Sequence, residues 1–291
     1  TKALEDKKFT QGFLSDVVLE LLKNNETTNH ILEIHDVAEY ISANYTDKRL
    51  VDFAIHLKPW CKNGSYYPFV TGESNVDLSN QMVVLDLTNV KDKPELRDAL
   101  IYSMVSNISS YIYKDNHSGH RFKVMIDEMH NYLGEGKSEI MQDFFDKAYR
   151  QFRKHNASIL GITQSFADIW DSKKGGLSHA GQAIMTNSPW QIFLKHNQMA
   201  ANALIESKVF SFTDIDIKLF KSIETKSGHY SEIFVIDPSD QKSVLRLIND
   251  RYFYYVLTSD PEDNAKISEI MTTYNLNTSD AIQFIVDNEK R

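Results

Sequence analysis

Through the first sixty positions, hydrophobic residues recur at three- and four-residue spacing. GFLSDVVLELLKN puts Phe13, Val17, Leu21 and Leu22 on one helical face. ILEIHDVAEYISANY and DKRLVDFAIHLKPW repeat that texture, with Asn- and Thr-rich breaks between them. Residues 1–62 are therefore expected to form a helical subdomain. CKNGSYYPFVTGESNVDLSN is turn-rich and reads as a linker or exposed loop.

The pattern then changes. QMVVLDL, FKVMID, ASILGIT and WQIFLK are short, nearly continuous apolar runs, expected to be buried strands. Between them lie helix-period stretches: KPELRDALIYSMVSNISSYIY, SEIMQDFFDKAYRQFRKH and a helix begun by SFADIW; HNQMAANALIESK follows the last strand. SFTDIDIKLFKSI is patterned as an amphipathic helix. Alternation of strand and helix predicts an α/β fold with a mainly parallel central sheet flanked by helices over residues 63–291. HYSEIFVIDPSDQKSVLRLIND reads as a closing hairpin turned by Pro-Ser-Asp. Two helices finish the chain, the last capped by Ser279 with Asp280 in its first turn.

Composition narrows the class. Of 291 residues, 42% are hydrophobic and 25% charged, the balance of a soluble globular protein. No apolar run approaches the roughly 18 residues that span a bilayer. TKALEDKKF carries no apolar signal core, so no secretory routing is expected of it. A single cysteine, Cys61, excludes internal disulfides and a cysteine-built metal site. The net charge of −8 excludes a surface that attracts nucleic acid as a whole, although RQFRKH and DSKKGG are locally basic.

KVMIDEMHNYLGEGKS contains two rival phosphate motifs. A phosphate loop needs G-x-x-x-x-G-K-[ST] directly after a strand. Gly136, Lys137 and Ser138 match its end, but Asn131 occupies the first position and MHNYL intervenes after the strand. A surface loop with Ser138 capping the next helix is the better reading. Asp127 and Glu128 instead stand at the C-terminal end of an apolar strand, where open α/β sheets bind ligands. The Asp suits Mg²⁺, which prefers oxygen ligands. The Glu suits orienting and activating water against a γ-phosphate. Thr163 and Gln164 fall at the tip of the next strand, placing an amide beside the same phosphate; a helix cap explains Thr163 or Ser165 equally.

In this order, the pieces resemble the C-terminal RecA-like motor domain of the large conjugative-transfer and type IV secretion ATPases, the TraC-like family. The likeness runs through QMVVLDL, VMIDE, AYRQFRKHNASILGITQSFADIW, AIMTNSPWQIFLKHNQ, SGHYSEIFVIDP, SVLRLI and RYFYYVLTSDPEDN. It implies a P-loop NTPase fold and Mg²⁺-dependent ATP hydrolysis powering substrate transfer or pilus assembly. It makes Asp127 and Glu128 the Walker B pair and Gln164 the polar sensor. Arg150, Arg153 and Arg246 become candidates for an arginine reaching a neighbour's nucleotide, each also readable as ordinary surface charge. It further implies a hexameric ring at the cytoplasmic face of the bacterial inner membrane, with a coupling ATPase, inner-membrane components and transient DNA or protein substrate as partners. In that family the phosphate loop precedes the helical block. The chain opens without Met in polar helical sequence, so it is expected to be a piece of a longer protein and inactive alone. An ATP-driven DNA translocase and a non-catalytic assembly subunit with an incomplete nucleotide site are the alternatives.

Other residues carry weaker signals. The ten histidines form no H-E-x-x-H pattern. His130 follows the carboxylates but is expected to play a polar surface role, and His155 and His196 to pack at strand–helix junctions. Asn187 and Ser188 before WQIFLK suit phosphate or substrate contact, or simply a turn. Trp170, Trp190 and RYFYYV suit core packing better than base stacking.

Overall fold

Helices α1 (Lys2–Asn25), α2 (Ile34–Asn44) and α3 (Lys48–His56) open the chain, as their periodicity predicts. The structure is a computed structural model that describes residues 2–25, 30–73, 76–114, 119–133, 139–171 and 175–289. It divides into two units, Thr1–Ser103 and Met104–Arg291.

In the first unit, Val17, Ile41, Leu50 and Ala54 are buried together, with Phe13, Leu21, Val37 and Phe53 packed around them. Asp47 caps α3 by accepting the Arg49 amide. The turn-rich stretch after α3 is tied back to the start of α2. The Glu33 carboxylate accepts the Thr71 hydroxyl, the Gly72 amide at 3.0 Å and the Tyr67 hydroxyl at 3.1 Å. The Thr71 bond leads in holding that carboxyl below its usual range. The expected strand QMVVLDL does not form: residues 82–87 are irregular, and Met82 and Val84 are largely exposed. An apolar run becomes a strand only beside a partner, and among the described residues this unit contains no strand.

Helix α4 (Pro94–Lys114) carries the chain into the second unit. There follow β1 (Phe122–Ile126), α5 (Glu139–Gln151), β2 (Ala157–Gly161), β3 (Trp170–Asp171), β4 (Gly176–Leu177), α6 (His179–Asn187), β5 (Gln191–Phe193) and α7 (Gln198–Glu206). Then come α8 (Asp214–Ser222), β6 (Thr225–Lys226), β7 (Tyr230–Ile236), β8 (Lys242–Leu247), α9 (Arg251–Leu257), α10 (Pro261–Tyr274) and α11 (Thr278–Asn288). Among the described residues no helix is long and apolar enough to cross a membrane.

The strands pair as a mixed rather than mainly parallel set. β1 and β2 are parallel, with Phe122 opposite Ala157 and Ile126 opposite Gly161. β5, β6 and β8 all pair antiparallel to β7. The expected hairpin explains this: the turn after Ile236 folds β8 back on β7, whose other side takes β5 and β6. Phe234, fully buried, packs against Phe193 on the neighbouring β5 and against Phe212 and Phe220, with Phe220 edge-on at 5.2 Å. Such edge-to-face pairs each add about 0.5–1.5 kcal/mol beyond area burial.

Two other local expectations change. SFADIW makes one 3₁₀ turn, Phe166–Ile169, before entering β3. The Asp168 carboxylate takes the Thr163 hydroxyl and the Ser165 amide, closing a turn too tight to propagate. The cap of α11 is Asn277, not Ser279, whose hydroxyl pairs with that of Tyr252 at 2.8 Å.

Candidate functional site

The site begins with α5. Met141, Phe144, Phe145, Ala148, Tyr149 and Phe152 recur at helical spacing and are all buried. The helix thereby turns the chain through the Phe152–His155 3₁₀ turn and Asn156, in the left-handed conformation, into β2. Because β2 runs parallel to β1, both strands end at the same rim, which brings Gln164 to the carboxylate pair.

The backbone bends sharply at that rim. Glu128 has φ +50° and ψ +41°, a left-handed conformation that costs a non-glycine residue about 1–3 kcal/mol. Three contacts hold it. Asp127 Oδ1 accepts the Glu128 amide at 2.8 Å. The Glu128 carbonyl accepts the Asn131 amide at 2.9 Å, and the Met129 amide returns to the Ile162 carbonyl at 2.8 Å. Met129 is buried, packed where a side chain on Gly161 would stand: a Cβ there would lie 2.4 Å from Met129 Sδ and 2.5 Å from the Tyr149 hydroxyl. Burial pushes that hydroxyl up to about 12, against an opposing backbone hydrogen bond at Gly161.

The side chains then meet. Gln164 Nε2 donates to both oxygens of Glu128, at 2.8 and 3.1 Å. His130 Nδ1 lies 3.0 Å from Glu128 Oε2, but at an angle that does not make a hydrogen bond. Asp127, Glu128 and Gln164 are all exposed, so the group is open to ligand. No cluster of three or more metal-binding side chains occurs among the described residues. One carboxylate at a strand end nevertheless fits Mg²⁺, which takes one or two protein oxygens and completes its shell with water and phosphate.

The remaining candidates make other contacts. Arg150 is exposed on α5 and bonds Asp146 at 2.8 Å, with His179 3.5 Å from the same oxygen. Arg153 is exposed in the following 3₁₀ turn. Arg246 on β8 donates to Glu232 at 2.7 Å and stacks over Tyr230 at 4.0 Å, so its own sheet engages it. The Glu232 bond leads in raising its pKa. Asn187 ends α6 and donates to the Ala183 carbonyl at 2.8 Å, a helix-end role. Gly134, Gly136, Lys137 and Ser138 lie outside the described residues. The left-handed turn at Glu128 brings His130 within 3.0 Å of its carboxylate, a proximity that the spacing of the two residues in the sequence does not carry.

The model for the TraG P-loop domain matches residues 24–289. Protein TraC of Escherichia coli (strain K12) is 30% identical over 183 residues, covering 62% of this chain and 19% of TraC. Type IV secretion system protein virB4 of Bartonella henselae is 24% identical over 296 residues, covering 94% of this chain and 35% of virB4. The chain thus spans about a fifth to a third of the length of these relatives. The solved structure of VirB4 of Thermoanaerobacter pseudethanolicus superposes with a TM-score of 0.63 at 16% identity, over 83% of this chain and 64% of that one, and so shares its fold. The chain belongs to the family of the TraG P-loop domain.

Proposed function

We propose that this chain is the ATP-hydrolysing motor module of a conjugation or type IV secretion machine. The observation that supports this reading is the hydrogen-bonded pairing of Glu128 with Gln164 at the shared tips of two parallel strands, with Asp127 alongside. In this account Asp127 holds Mg²⁺ directly or through water, and the ion, when bound, neutralises charge on the β- and γ-phosphates. Glu128 orients water and takes its proton. Gln164 reaches the γ-phosphate or the attacking water. An arginine from a neighbouring subunit stabilises the charge that builds on the transferred phosphoryl group. Arg153 suits that role best, since Arg150 and Arg246 are engaged by acidic partners in their own chain.

The assembly belongs to the same proposal: a hexamer, peripheral at the cytoplasmic face of the inner membrane, working with other secretion subunits on DNA or protein. Stimulation of hydrolysis by DNA would favour a DNA translocase over a protein-export motor. The test of the chemistry is Glu128→Gln in the full-length protein. Nucleotide binding should persist while turnover falls by roughly 10²–10⁴-fold, the usual worth of a general base. Turnover at the unsubstituted level would remove Glu128 from the role.

A further inference from the structure

His130 is half-buried, yet its Nδ1 is sealed from solvent and has no hydrogen-bond partner among the described residues. A buried ring nitrogen left in that condition is unfavourable, because it has given up water without gaining a partner. Its close polar neighbour is Glu128 Oε2, at 3.0 Å. An ionised carboxylate can only accept hydrogen bonds. With a lone pair on Nδ1, the two atoms would repel at that distance. With hydrogen on Nδ1 they attract, and a small rotation of either side chain completes the bond.

Gln164 holds the same carboxylate through one amide nitrogen that bonds both oxygens. If Gln164 also serves the γ-phosphate, as proposed above, its NH₂ group must turn away from Glu128 when nucleotide arrives. His130 is then the contact that stays. Its backbone is fixed by the 3₁₀ turn Met129–Asn131, whose first residue is anchored in the core and bonded to Ile162.

We infer that His130 is a positioning residue: its Nδ1–H holds the Glu128 carboxylate in one orientation at the strand tips. The inference rests on the reading of Glu128 as the water-activating base. It differs from a surface role in requiring one tautomer and one nitrogen.

Two variants and one spectrum test it. His130→Phe keeps the ring and removes both nitrogens. His130→Asn places an amide nitrogen at the same remove from Cβ as Nδ1. In the full-length protein, His130→Phe should lower kcat about tenfold or more with KM for ATP little changed, the signature of a misaimed group rather than lost binding. His130→Asn should recover most of that loss. Normal kcat in His130→Phe, or equal loss in both variants, would overturn the inference. Independently, ¹⁵N NMR of the imidazole in this chain should show hydrogen on Nδ1, and an Nε2–H tautomer would also overturn it. Glu128→Gln separates the two levels. If it turns over normally, the base reading fails whatever His130 does. If it is dead while His130→Phe is normal, only the positioning role fails.

Discussion

Glu128 occupies a conformation that its residue type disfavours, and the reason is packing one layer below. Met129 must enter the core at the point where β2 passes, and only a glycine at 161 leaves space for it. Gly161→Ala should therefore destabilise the second unit by about 1–3 kcal/mol, the usual cost of overpacking. Adding Met129→Ala should return part of that loss, because the two sites share one volume. Urea unfolding of the single and double variants measures this, and purely additive costs would show that the contact is not shared. At this scale the sequence was half legible. An apolar strand ending in Asp-Glu marked the carboxylates, and Gln164 followed from the next strand's end. The meeting of His130 with Glu128 was hidden, since nothing in glutamate's preferences announces a left-handed turn.

Elements with a strong internal period were read correctly because the period itself is what packing uses. The apolar face of α5, from Met141 to Tyr149 and continued by Phe152, is the clearest case. QMVVLDL failed for the opposite reason: a strand depends on a neighbour that local pattern does not contain, and Met82 and Val84 remain largely exposed. The mixed pairing of β5 with β7 likewise depends on residues some forty positions apart. The three C-terminal helices are joined by Glu289, which accepts Arg251 Nε at 2.7 Å and Lys266 Nζ at 3.2 Å, and also bonds the Tyr255 hydroxyl. The Arg251 bond leads in holding this carboxyl down to about 2, from an ordinary value near 4.5. A lowered folded-state pKa means the stabilisation is full above about 4.5 and is lost as pH falls towards 2. Arg251 is nearly half exposed, so solvent screening makes the contribution modest. Denaturant midpoints of the second unit, measured from pH 6 to 2, should fall more for the native chain than for Glu289→Gln. Parallel curves would show that the cluster adds nothing.

For the whole molecule, family and fold followed from the order of short segments rather than from any one motif. That order survives even though the helical N-terminal part and the α/β part divide at Ser103–Met104. What the proposal adds is a location for phosphate chemistry, the rim where β1 and β2 end together. The most direct test is a structure of the full-length protein with Mg²⁺ and a non-hydrolysable ATP analogue. The expected result is the metal bound by Asp127 directly or through one water, the γ-phosphate within hydrogen-bonding reach of Gln164, and Glu128 facing the attacking water. A nucleotide whose metal and γ-phosphate lie away from these three side chains would contradict it.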